Sequence, residues 1–193
     1  TFNHPRSRTP PGQGARLENR PTTAFQEYGC GWKVPDERPN EAFRDAVGSF
    51  ATGVMVMTCT DGGEGLIGVT MNSFSSVSLD PPLVSFCIAE SLTEFETLLE
   101  TDNFALNLLR EDQQDLSNQF AKTGPDKWKG VSYRKGPNSA PIIEPNHGVL
   151  LCTKHAQYEC GDHYIVVARV DTLVNGGNEP PLIFYRGKYR QLS

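Results

Sequence analysis

Residues 68–86 read GVTMNSFSSVSLDPPLVSF, and the reading of this stretch decides the fold. An apolar strand leads in, followed by Thr70, Asn72, Ser73, Ser75, Ser76 and Ser78. Asp80-Pro81-Pro82 closes that polar run, and a second apolar strand, Leu83 to Ile88, leads out. Short hydroxyl and amide side chains compete for nearby backbone groups, so such a run predicts a loop between two strands. It also offers more small donors than one turn consumes, which suits a flat polar ligand. The same composition serves equally as a plain Ser-rich connection. It holds no acid, base or nucleophile, so any chemistry belongs to a bound group.

Upstream, Val54 to Cys59 reads as a buried strand, Asp61-Gly62-Gly63 as a hairpin turn, and Leu66 to Met71 as the returning strand. The GGEG of that turn lacks the Gly-Lys-Ser/Thr ending of a phosphate-binding loop. Before it, Asn40 fits an N-cap for a helix over Glu41 to Phe50. Phe43, Ala46, Val47 and Phe50 give that helix one apolar face, and Gly53 ends the pattern. Downstream, Ser91 to Glu100 is predicted as an amphipathic helix, Asn103 to Leu109 as a strand and Glu111 to Lys122 as a second helix. Residues 124 to 145 read as loop, with Trp128 and Tyr133 as anchors. Long strands follow at 149–159, 164–174 and 182–185. Many strands with few helices, without βαβ alternation or GxGxxG, predict an antiparallel barrel rather than a dinucleotide-binding sheet.

The chain has 193 residues, enough for one domain with an appendage, and is 37% hydrophobic and 21% charged. A net charge of −5 and no long basic cluster argue against nucleic acid and anionic membrane as partners. No apolar run approaches the roughly 20 residues of a membrane span, and no signal-type apolar stretch opens the sequence. Cys30, Cys59, Cys87, Cys152 and Cys160 are odd in number, contain no CxxC, and sit largely in apolar runs. Reduced thiols in the cytoplasm are expected. Residues 1–39 are rich in Pro and Arg without periodicity. We expect this extension to pack on its own domain, residues 40–193, or on a dimer partner.

Cys152, His155, Cys160 and His163 form two Cys-x-x-His pairs of zinc-ligand type. The odd spacing of Cys152 and His155 on one strand sends their side chains to opposite faces, so no metal site is expected. Gly161-Asp162-His163 sits between strands, and a turn with a solvated imidazole accounts for it. No Gly-x-Ser-x-Gly elbow or Ser-His-Asp order points to a hydrolase.

An ordered set of motifs resembles the short-chain flavin reductase family, which supplies reduced flavin to two-component monooxygenases. It runs through Phe43-Arg44 and Phe50-Ala51-Thr52-Gly53-Val54 to Gly68-x-Thr70-x-Asn72-Ser73-Phe74-x-Ser76-Val77-Ser78 and Asp80-Pro81-Pro82. Phe104-Ala105-x-Asn107, Phe120-Ala121, Gly161-Asp162-His163 and Tyr185-Arg186-Gly187-x-Tyr189 continue it. Residues 41 to 193 are covered; Phe120-Ala121-Lys122-Thr123-Gly124 departs from the family's more usual Phe-Ala-Gly.

The resemblance implies a mainly β, flavin-binding split barrel working as a homodimer. It implies that Thr52, Thr70, Met71, Asn72, Ser73, Phe74 and Ser75 line the isoalloxazine and ribityl chain of FAD or FMN. Ser91 and Thr93, expected at a helix N-terminus, would meet a phosphate, with Phe120, Ala121 and Lys122 taking the rest of it or an adenine. His163 would meet the nicotinamide of NADH or NADPH, with Gly187 and Tyr189 closing over it. The implied reaction is direct hydride transfer to flavin, with no catalytic acid or base, and release of reduced flavin to a monooxygenase component by diffusion. A flavin- or haem-binding split barrel without turnover, and an oxidase of the pyridoxamine phosphate type, are the rival readings.

Overall fold

Two strands that follow one another in sequence lie at opposite edges of the same sheet. The computed structural model describes residues 39–124 and 127–192; the packing expected of residues 1–38 and the state of Cys30 lie outside them. The larger compact unit is Phe43–Ser193, and a helix, α1 (Pro39–Gly48), straddles its start. Then come β1 (Thr52–Gly53), β2 (Met55–Thr60), β3 (Leu66–Met71), β4 (Ser75–Leu79) and β5 (Pro82–Ala89). The short helix α2 (Phe95–Glu100), β6 (Asn103–Leu108), a 3-10 turn (Glu111–Gln113) and α3 (Gln114–Ala121) follow. The hairpin β7 (Tyr133–Lys135)–β8 (Pro141–Ile143), long β9 (Gly148–Cys160) and β10 (His163–Asn175), and the hairpin β11 (Ile183–Tyr185)–β12 (Lys188–Arg190) complete the chain.

The main sheet has seven strands in the order β3-β2-β6-β9-β10-β5-β4, and every pairing is antiparallel. Laid flat, its edge strands β3 and β4 would stand about 29 Å apart. Only Asn72, Ser73 and Phe74 connect them, so the ends of that connection lie within about 14 Å of each other. The sheet must therefore curl until its edges meet at an open seam, which makes it a split barrel.

Alternation puts one face of each strand inside. Met55, Met57 and Cys59 of β2, Val84, Phe86 and Ile88 of β5, and Phe104 and Leu106 of β6 fill the interior. The other face of β2 is covered too: Val56 packs with Leu109, Phe120, Ile143 and Leu182. Burial of each large side chain stabilises the fold by about 2 kcal/mol, so β2 is the strand least able to tolerate a polar change. Gly68 lets α3 close on β3, since a Cβ there would stand 2.3 Å from Phe120 Cε1. Buried Asn107 donates to Val56 O and Thr58 Oγ1 at 3.0 Å and accepts the Ile143 N–H at 2.9 Å, which locks β8 to the barrel.

Several sequence expectations need correction. Residues 75–79 are strand, not loop, because β5 offers them a free edge. The helix expected over Glu41 to Phe50 begins at Pro39, so Asn40 lies in its first turn rather than capping it, and it ends at Gly48. Its apolar spacing is as predicted, yet that face is uncovered, with Phe43 69% and Phe50 76% exposed. The hairpin turn is wider than Asp61-Gly62-Gly63, as the Asp61 N–H bonds Gly65 O. Residues 124–145, expected as loop, contain the β7–β8 pair, and β12 follows the last strand expected, 182–185.

Candidate functional site

The seam is built by side chains that replace backbone pairing. At Met71 the chain leaves β3, and Asn72 Nδ2 donates to Thr52 Oγ1 at 3.1 Å, tying the seam to β1. Thr52 is itself fixed by pairing with Phe184 of β11. One residue on, Ser73 Oγ accepts the Cys87 N–H at 3.0 Å. Because Ser75 pairs with Ser85, this hydroxyl takes the place of the next rung of the β4–β5 ladder. Ser73, Phe74 and Ser75 are exposed, so the seam presents an amide, two hydroxyls and one aromatic face to solvent.

A cavity of about 370 Å³ opens beside it, lined by Phe50, Thr52, Asn72, Phe74, Leu108 and His147 among others. Its wall is mostly apolar with three polar side chains, and its size falls within the about 300–1,000 Å³ of small-molecule sites. Of the residues expected to line a flavin, Thr52, Asn72 and Phe74 border this cavity, and Ser73 and Ser75 stand on the adjoining seam. Thr70 and Met71 do not offer their side chains. Thr70 Oγ1 donates to Ser117 O at 2.7 Å, and Met71 is packed in the core.

The expected phosphate residues lie on two segments apart from this cavity. Ser91, Thr93, Ala121 and Lys122 are exposed. Between their segments, buried Lys127 bonds Glu94 Oε1 at 3.2 Å and Gly68 O at 3.3 Å. The expected helix N-terminus is not there. Turns closed by Leu92 N–H to Ala89 O and Phe95 N–H to Leu92 O delay α2 until Phe95, so Ser91 and Thr93 precede it. Phe120 is fully buried, packed on Gly68 and edge-on to Trp128 at 5.0 Å, so its side chain is core rather than ligand surface.

His163 opens β10 after a two-residue turn, Gly161-Asp162, with Gly161 at φ +69°. It pairs with Ala89, two residues beyond the Cys87 that holds Ser73, so it stands about 7 Å along the strand from the seam. Its Nδ1 lies 2.7 Å from Asp162 Oδ1, and that hydrogen bond holds the Asp162 carboxyl below the usual carboxylate range. Gly187 and Tyr189 belong to a different sheet, β1-β11-β12. Arg186 and Gly187, both at positive φ, make the tight turn between β11 and β12. The Tyr189 phenol donates to Asn118 Oδ1 at 3.1 Å, so Ser117 Oγ donates to it at 2.9 Å. Among the described residues no hydrogen bond joins His163 to Gly187 or Tyr189. On β9, Cys152 is fully buried while His155 is exposed, at a bulge where Val167 pairs with Ala156 and Ala168 with Lys154.

Sequence reasoning missed Leu108 and His147. Leu108 O accepts the His147 N–H at 3.0 Å, which draws the turn before β9 to the cavity. A lone histidine in a polar turn gives no periodic signal that could reveal this.

A seven-stranded antiparallel sheet curled to a polar seam, with a mostly apolar cavity beside it, places the protein in the class of split-barrel domains. The chain belongs to the flavin reductase like domain family, whose model matches residues 47–193. It is 43% identical over 136 residues to a probable flavin reductase of Rhizobium meliloti, covering 70% of this chain and 44% of that protein. A flavin reductase of Pseudomonas putida is 37% identical over 147 residues, 76% of this chain and 86% of that one. Among solved structures, the Streptomyces globisporus NADH:FAD oxidoreductase SgcE6, in complex with NAD and FAD fragments, is 32% identical with a TM-score of 0.78. That match covers 84% of this chain and 98% of the other. The chain spans 44% and 59% of the length of two Rhizobium meliloti relatives it matches.

Proposed function

We propose that this protein is an NAD(P)H:flavin oxidoreductase that passes hydride from NADH or NADPH to FAD or FMN and supplies reduced flavin to a flavin-dependent monooxygenase. The observation that carries this reading is the Thr52–Asn72 contact at the mouth of a mostly apolar cavity, inside the segment that matches the family. A bound flavin accepts hydride directly from the nicotinamide, so the chain needs no proton-transfer residue and has to bind, stack and shield two rings. Thr52, Asn72, Ser73, Phe74 and Ser75 hold the ring system and ribityl chain. Ser91, Thr93, Ala121 and Lys122 receive phosphate or adenine. His163, with Gly187 and Tyr189, receives the nicotinamide.

The working form is a homodimer. His163 and Tyr189 lie in separate sheets, while Phe43, Val47, Phe50, Val77 and Leu79 expose apolar surface that a second copy would bury. Relatives named as reductase subunits of flavin-dependent monooxygenases support a monooxygenase partner, served by diffusing reduced flavin in the cytoplasm. Among the described residues no helix is long and apolar enough to cross a membrane. Oxidation of NADH by the purified protein, dependent on added FAD or FMN, tests the reading, and sedimentation velocity tests the dimer.

A further inference from the structure

Among the described residues, His147 is the only ionisable side chain in the wall of the cavity beside the seam. Its backbone is held by Leu108 O, yet among the described residues no hydrogen bond reaches either nitrogen of its ring. Nδ1 is sealed from solvent without a partner. A sealed N–H with no acceptor is costlier than an unused lone pair, so the ring proton belongs on Nε2. The other ring nitrogen, Nε2, is therefore a donor in a mostly apolar wall.

We infer that His147 Nε2–H contacts the bound flavin at its pyrimidine edge and favours the reduced over the oxidised form. This rests on the proposed flavin reductase reading. Within the isoalloxazine, hydrogen-bond acceptors lie on the pyrimidine ring and at N5, whereas the dimethylbenzene end has none. A donor facing the pyrimidine oxygens and N1 gains strength when two-electron reduction places negative charge there, because a bond to a charged acceptor is about twice as strong as a neutral one. In a mostly apolar wall water competes poorly for that bond, which increases the difference between the two redox forms. Of the three polar lining residues, Asn72 and Thr52 are bonded to each other, whereas among the described residues the His147 ring has no hydrogen-bond partner.

The test compares the full-length protein with His147→Leu and His147→Gln. Binding of FMN and FAD is titrated oxidised and, anaerobically, after reduction, and the potential of the bound flavin is measured. We expect His147→Leu to weaken reduced-flavin binding about tenfold while oxidised binding changes less than threefold. The bound potential then falls by about 30 mV for the two-electron couple. His147→Gln, which keeps a donor near the Nε2 position, restores most of the difference. Equal weakening of both forms would assign His147 to packing and overturn the inference, as would no change in either. Failure of wild-type protein to bind either flavin overturns the parent reading along with it. Normal wild-type binding with an unchanged redox ratio in His147→Leu overturns this inference alone. Melting curves of both variants show whether the fold is retained.

Discussion

Asn72 Nδ2 donates to Thr52 Oγ1 across 3.1 Å, and this bond joins the one place where the barrel is open to the small sheet beside it. Both residues are at least partly exposed, so the bond contributes little to stability, about 0.5–1 kcal/mol. Its larger effect is to hold two cavity-lining side chains in place. Asn72→Ala should therefore raise the flavin dissociation constant about tenfold while lowering stability by no more than about 1 kcal/mol. Fluorescence titration of flavin beside a denaturant curve measures both. Ser73→Trp should block flavin outright, since the indole would fill the seam and the Cys87 N–H would lose its acceptor.

His163 stands near the seam but outside the cavity, with its Nδ1 engaged by Asp162. His163→Ala should raise the Michaelis constant for the nicotinamide nucleotide about tenfold or more and change flavin affinity less than twofold. Steady-state kinetics with each substrate varied in turn read the split. Equal losses for both would remove His163 from the nicotinamide site.

Gly68 carries no ligand in this account, yet it should be among the least replaceable residues. An added methyl would sit 2.3 Å from Phe120, whose ring is wedged against Trp128. Gly68→Ala should cost about 2–3 kcal/mol through forced movement of α3. Urea unfolding measures it, and flavin affinity should fall with it only as far as α3 shifts.

The interior thiols set an alkaline limit. Burial pushes Cys59 and Cys152 up to about 12, against an ordinary thiol value of 9.0. Between those values the unfolded chain has released protons that the native chain retains, so stability falls as pH rises from about 9 toward 12. Each thiol contributes about 1 kcal/mol of loss per pH unit in that window. Denaturation midpoints of wild type and Cys152→Ala across the window should show a shallower slope for the variant. With a thiol reagent at neutral pH, exposed Cys160 should react while Cys59 and Cys152 stay protected until the chain unfolds.

Much of this arrangement was legible in the sequence because it rests on short-range patterns. The apolar runs at 54–59, 66–71 and 83–88 appear as strands, and the polar run at 72–74 became the seam. What the sequence withheld depends on distant partners. Ser75–Leu79 has loop composition but is a strand because β5 lies beside it. The apolar face of α1 has helical spacing and still lies bare, since the pattern says nothing about what covers it. Phe120 carries a family motif and yet is buried, because only the close approach at Gly68 reveals where its ring goes. The site was readable where it is one contiguous loop. It was opaque at His147, which reaches the cavity through a single backbone bond to Leu108.

The most direct test is the loss of reduced nicotinamide absorbance with purified protein, measured with and without added FAD or FMN. The account predicts oxidation of NADH or NADPH only when flavin is present, with one flavin preferred. No oxidation with either flavin, despite tight flavin binding, would contradict it and leave a split barrel that binds flavin without reducing it.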